Sequence, residues 1–351
     1  MNGTFIPAVH AFRAFAILNV VFVHCFGFML YYAEHEAPKI DVTIIKNLTQ
    51  VLFHDSTIYF ALISGILFSL ILAPRGYLAF FKAKLFNVVS PYIFMTCLFA
   101  YFFWGKGGEF IVFDGSISAF FKAVLIHLTR GSASFTLWYI PVLLVLYLVT
   151  PLLAKLIALP NFKYLLFIIM LLPLIISRNW PEVVWENYVY FIGAYTVGLW
   201  VGTNYQKVVQ FVELRMNWVA LIALVTTLVL YGFYEWEVKT WRFISLRESV
   251  FYIQKLSLAA LALVLFQKVP KKLPVWVDIL ARYAFPIYFM HGFLLDALYT
   301  ALQALGLSIP NTAVAMLVSV LVTGVILLVC VVVTYVLQRV LARRSRHFIG
   351  A

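Results

Sequence analysis

Apolar runs of about 20 residues recur along the chain, each long enough to carry an α-helix across the hydrocarbon core of a bilayer. No other feature restricts the fold as much. Lipid offers the backbone no hydrogen-bond partners, so such runs must become helices that satisfy their own N–H and C=O groups. Ten candidates fit the template, at roughly 8–32, 52–72, 87–104, 136–158, 163–178, 187–202, 216–234, 249–267, 276–297 and 312–341. The expected fold is an all-α integral membrane protein, a bundle of about ten transmembrane helices. The stretch 116–129 reads as an interfacial helix. With no internal repeat, low-complexity segment or large polar appendage, residues 1–351 read as a single transmembrane domain.

Composition removes the alternatives. Hydrophobic residues make up 64% of the chain and charged ones 11%, whereas soluble domains carry roughly 25% charged residues. The net charge of +12 does not form a basic patch interleaved with aromatics; it is spread over short loops between apolar runs, so no nucleic-acid partner is expected. Cys25, Cys97 and Cys330 lie within apolar runs, with no CxxC pair and no histidine at ligand spacing. They read as buried thiols, and neither a disulfide framework nor a metal site is expected. The first run has no preceding Lys or Arg and no small-residue cleavage site, so it is expected to be a retained span.

The loops also orient the bundle. With a cytoplasmic amino terminus, 16 Lys and Arg fall on the inner side and 9 on the outer, the latter including Lys39, Lys106, Arg178 and Arg242. Of the 14 acids only Glu213 and Asp278 fall inside, and Lys255 is left within a span. This positive-inside bias, with ten spans, places both termini in the cytoplasm.

Ionisable residues within spans are where function is expected. The first span carries His10, Arg13 and His24. The eleven residues from Arg13 to His24 turn a helix through roughly 1100°, leaving about 20° of offset, so both lie on one face about 16 Å apart. A cation near the inner surface and a titratable imidazole deeper in suit anion binding and general-base chemistry. In the second span, Ser64-Gly65 permits close approach by another helix or by a ligand. His54 and Asp55 open that span on the outer side, as a cap or as contacts for a substrate. The loop from Arg75 to Pro91 carries Arg75, Lys82 and Lys84 without an acid, and either binds phosphates or follows the positive-inside bias. In the ninth span His291 is expected about 20 Å from the inner face, level with His24.

These residues resemble the acyltransferase-3 family of bacterial membrane acyltransferases. Arg13 and His24 match its Arg-x10-His element, Ile63-Ser64-Gly65 its Ser-Gly element, and Phe81–Pro91 its basic stretch ending in proline. Leu137-Trp138-Tyr139-Ile140-Pro141 is similar to its Trp-aromatic motif, and Ile287-Tyr288-Phe289-Met290-His291 to its late Tyr-x-x-His. Lys82, Lys84 and Asn87 stand where arginines are usual, and Thr136 where a histidine often precedes the tryptophan. The resemblance implies O-acylation of a surface or lipid-linked glycan in the bacterial cytoplasmic (inner) membrane, with cytosolic acyl-CoA, acetyl-CoA foremost, as donor. It further implies His24, His291 and Tyr288 as catalytic residues and Arg13, Lys82, Lys84 and Arg75 as donor contacts. Ser64, Trp138 and Asp55 would contact the substrate. Transfer could run directly or through an acyl-histidine. The rival class is a transporter or exporter of a glycan or lipid-linked sugar, using the deep histidines without acyl chemistry.

Overall fold

The computed structural model describes residues 6–35, 40–102, 116–179, 183–241, 244–268 and 272–350. Lys39, Lys106 and Arg242, assigned above to the outer side, and Lys271, one of the 16 cations counted on the inner side, lie outside the described residues. In chain order the helices are α1 (Pro7–His35), α2 (Thr43–Phe53), α3 (Thr57–Leu67), α4 (Tyr77–Lys84) and α5 (Ser90–Phe102). They continue with α6 (Ile117–Arg130), α7 (Tyr139–Ala158), α8 (Lys163–Leu171), α9 (Trp185–Thr203), α10 (Tyr205–Leu214) and α11 (Met216–Glu235). The last are α12 (Leu246–Gln267), α13 (Val275–Arg282), α14 (Ala284–Leu305), α15 (Thr312–Leu341) and α16 (Ser345–Ile349). Before α12 a short antiparallel ladder pairs Thr240 with Ser245 and Trp241 with Ile244.

Eight helical runs among the described residues are long and apolar enough to cross a membrane. The expectation of about ten is not reached on that measure. The run at 163–178 shortens to α8, which Pro173 ends in a 3-10 turn over Leu172–Leu174. The run at 187–202 becomes α9, whose Tyr, Gly, Thr and Trp residues hold its hydropathy down. Most of α9 is buried against other helices, so it needs little lipid-facing apolar surface. The outermost helices show the reverse pattern. On α15 Leu317, Val320, Leu321, Val325 and Leu328 are exposed, while Ser319, Thr323 and Thr334 are buried. Those hydroxyls bond the carbonyls of Ala315, Ser319 and Cys330 on the preceding turn. Apolar side chains outside and small polar ones inside make sense only against lipid.

Three sequence expectations need correction. The basic stretch 75–91 is helical rather than a loop. Gly76, with φ +84°, turns the chain, and α4 then runs into α5 through a π-helical turn at Leu85–Val89. Pro91 follows as the second residue of α5, in the first turn, where a missing N–H costs little. The second span is longer than 52–72 and broken: α2 stops at Phe53 and α3 restarts at Thr57, with Asp55 at φ +59° between them. Asp55, Ser56 and Thr57 have side chains that compete for backbone bonds and favour such interruptions, and Ser56 Oγ donates to the Phe53 carbonyl. The ninth span is split at Tyr283 into α13 and α14. His291 lies about 10 Å along α14 from Ala284.

The α3–α9 crossing sets the depth of the core. A Cβ on Gly65 would come within 2.6 Å of the Leu199 nitrogen, and one on Gly202 within 2.8 Å of the Ile66 carbonyl. Gly198 faces the Leu62 backbone in the same way. Gly65 thus admits another helix, the first of the two uses its sequence context permits. The charges sort by end as the loop count has it. His54, Asp55, Arg178 and Glu248 meet at one end. His10, Asp278 and Arg282, and separately Lys268 and Glu213, meet at the other.

Candidate active site

The two deep histidines meet. Their ring centroids are 5.3 Å apart, His24 coming from α1 and His291 from α14. His291 is fully buried; its Nδ1 bonds the Ile287 carbonyl at 3.0 Å, which makes Nδ1 the protonated nitrogen. Its Nε2, then a bare acceptor, has no partner among the described residues. Phe135 packs edge-on against His24 at 5.2 Å. The segment that carries Phe135 is held by α14: Tyr288 donates its hydroxyl to the Thr136 carbonyl, and Gly292 leaves room for the Thr136 and Ser134 side chains. The Tyr288 ring also lies 5.9 Å from that of His291. Tyr288 therefore reaches His24 only through its neighbours, by fixing both the 134–137 segment and the His291 ring.

His24 opens onto a cavity of about 710 Å³. Its walls are α1 from Val20 to Tyr31, the α2–α3 break, Phe135 and Trp138, Arg178, and Asp296 and Tyr299 of α14. Trp138 and Asp55 thus stand with His24 around one space. Gly27, one turn beyond His24, has nothing within 4 Å of where a Cβ would project. The Arg178 guanidinium lies 5.4 Å from the Trp138 ring centroid and joins the break through ions. Its Nε is 2.9 Å from Asp55 Oδ1 and 3.2 Å from Glu248 Oε2. The Asp55 contact has ion-pair distance without hydrogen-bond alignment, so Oδ1 keeps a free lone pair. Tyr190 donates to the other Asp55 oxygen, and His54 Nε2 lies against both the Arg178 guanidinium and Glu248 Oε1. Burial alone would weaken the Arg178 charge; Glu248 and Asp55 outweigh it and hold its pKa above the usual arginine range. Thr57, at the first turn of α3, also lines the cavity, and its buried hydroxyl has no partner among the described residues.

A second cluster occupies the other end of α1. Arg13 is in electrostatic reach of Lys84 and of the Tyr147 hydroxyl. Lys84 Nζ sits over the Tyr147 ring at 4.2 Å and the Phe80 ring at 5.5 Å. Ser64 faces the Tyr147 hydroxyl, although that hydroxyl has no well-aligned hydrogen bond. Arg75 and Lys82 are exposed on the adjoining stretch. Of the sequence candidates, then, His24, His291, Trp138 and Asp55 gather at one end. Arg13, Lys84 and Ser64 gather at the other, with Arg75 and Lys82 outside them.

Sequence reasoning counted Arg178 and Glu248 only as outer-side charges and gave Asp296, Tyr190 and Phe135 no role. Two acids and one arginine at widely separated positions give no local motif, and only their assignment to one side hinted that they could meet. No group of three or more His, Cys, Asp or Glu residues set to hold a metal ion occurs among the described residues.

No curated protein and no solved structure matches the chain. A family model, that of the acyltransferase-3 group described as an acyltransferase domain, matches residues 6–346. A match over nearly the whole chain leaves one assignment: the chain belongs to the acyltransferase-3 family of membrane acyltransferases.

Proposed function

We propose that this protein moves an acetyl group from cytosolic acetyl-CoA to a hydroxyl of a surface or lipid-linked glycan, in the bacterial cytoplasmic membrane. The observation that carries this reading is His24, on the wall of a roomy, aromatic-rich cavity and in ring contact with the buried His291 behind it. A cation pair at the far end of the same helix supports it. The donor's phosphates would bind Arg13 and Lys84, with Lys82 and Arg75 at the entrance. Lysines give point charges rather than the paired bonds of arginine, so recognition there rests on charge more than on geometry. Ser64, beside Tyr147, would meet the donor's arm rather than the sugar.

The acceptor sugar would lie against Trp138, with Asp55 taking hydrogen bonds from its hydroxyls. His24 removes the proton from the reacting hydroxyl as its oxygen attacks the thioester carbonyl, and such base catalysis typically contributes 10²–10⁴-fold. The C–S bond breaks, the C–O ester bond forms, and the proton on His24 passes to the departing thiolate. The unprotonated Nε2 of His291 is suited to accept an N–H from His24 and so fix its tautomer. Tyr288, through Thr136 and Phe135, keeps the His24 ring in place.

The test compares cells expressing wild type, His24→Ala and Arg13→Ala at equal protein level, with ester-linked acyl groups on glycans read by mass spectrometry and NMR. Esters in wild type that disappear in both variants are expected. Identical acylation in all three, with glycan still reaching the surface, would overturn the catalytic assignment in favour of an exporter.

A further inference from the structure

Four consecutive residues, His54, Asp55, Ser56 and Thr57, line the cavity. On an unbroken helix they would fan through about 300°, and no single cavity could see them all. The break between α2 and α3 is what turns them to one side. It also frees carbonyls at the end of α2, which in a continuous helix would accept from the N–H groups of Asp55 and Ser56. Within a membrane protein such carbonyls need replacement donors.

Both donors come from neighbouring positions on α12. Lys255 Nζ donates to the Leu52 carbonyl at 2.8 Å. Gln254 Nε2 donates to the Val51 carbonyl at 3.2 Å and to Thr227 Oγ1 at 2.8 Å. Both side chains are fully buried, at 0% exposure. Lys255 also lies 5.9 Å from the Tyr59 ring and 5.8 Å from the Phe251 ring, and within electrostatic reach of Asp55. A cation at the carboxyl end of a helix is favoured by the helix dipole, which accounts for a charge at a depth where it would otherwise be costly. About two turns earlier, Glu248 of the same helix holds His54 and Arg178. One face of α12 therefore grips the break from both sides.

We propose that Lys255, assisted by Gln254, is a positioning residue: it holds α2 and α3 apart so that His54, Asp55 and Thr57 form a wall of the acceptor cavity. The assignment of that cavity to an acceptor rests on the function proposed above; the holding of the break does not. The test uses the full-length protein in lipid nanodiscs, with Lys255→Met, Lys255→Arg and Gln254→Met beside wild type. Folding is checked by size-exclusion chromatography, and amide hydrogen exchange is followed by mass spectrometry over residues 50–58.

Lys255→Met is expected to speed exchange at 50–58 at least tenfold while peptides of α7 and α11 keep wild-type rates. Lys255→Arg, which retains charge and donors, is expected to stay within threefold of wild type, and Gln254→Met to give a smaller increase at the same place. Folded Lys255→Met that exchanges at 50–58 no faster than wild type, or faster everywhere alike, would overturn the proposal. Should Lys255→Met not fold, an unchanged rate in Gln254→Met together with a disordered 50–58 in Lys255→Arg would do the same. Ester formation on glycan separates the two readings. A variant that opens the break yet acylates like wild type refutes the link to the site, whereas a wild type that makes no ester refutes the acyltransferase reading and leaves the exchange result standing.

Discussion

At the residue scale, the site is defined by what is missing beside its side chains. Gly27 is the clearest case, because a Cβ there projects into open space one turn from His24. Gly27→Ala should therefore leave both folding and acyl transfer unchanged. Gly27→Trp should fill the cavity and lower the ester content of the glycan at least tenfold, with folded protein in detergent kept at the wild-type level. The measurement pairs ester quantification with size-exclusion profiles; wild-type acylation in Gly27→Trp would mean that no acceptor occupies this space. His24 and His291 were legible in the sequence because an imidazole inside an apolar run is conspicuous. Glycine 27 was not, since its use depends on what does not lie opposite it. Asp55 and Arg178 form an intermediate case: each was visible as a charge, but their ion pair joins positions 123 residues apart and only folding brings them to 2.9 Å.

At the scale of elements, most helices were legible and their interruptions were not. Apolar length predicts α7, α11, α12 and α15 nearly to their ends, because in lipid the length of a run sets the length of the helix. The break at 54–56, the split at Tyr283 and the π-helical turn at 85–89 leave no mark in the apolar length of their runs. The α3–α9 crossing shows how tightly elements are matched. A side chain at Gly198 would drive into the Leu62 backbone, which cannot swing aside as a side chain can. Gly198→Ala should accordingly destabilise by about 1–3 kcal/mol, the usual penalty for overpacking, and Gly198→Leu by more. Thermal denaturation in detergent measures this. A melting temperature within experimental error of wild type for Gly198→Leu would show that the two helices do not approach this closely.

At the scale of the whole molecule, the bundle separates two chemistries along one helix, with cations at one end of α1 and histidines deeper towards the other. This arrangement is useful only if the ends face opposite sides of the membrane. Single cysteines introduced at the exposed positions Trp236 and Arg344, in a background lacking the three native cysteines, test it. A membrane-impermeant thiol reagent on intact cells should label Trp236→Cys and spare Arg344→Cys until the membrane is opened. Labelling of both or the reverse order would invert or refute the cytoplasmic placement of the termini. The sequence by itself determined the membrane class, the helical fold and the sorting of charges between two ends, because the bilayer acts on each segment according to its own length and polarity. It also marked Arg13, His24 and His291, since charge within an apolar run stands out without any knowledge of neighbours. Tertiary structure alone decided that the two histidines touch, that α2 and α3 part at Asp55, and that Lys255 and Gln254 stabilise the gap. Those features arise from contacts between helices distant in the chain, where close packing and the need to satisfy buried polar groups outweigh local preference.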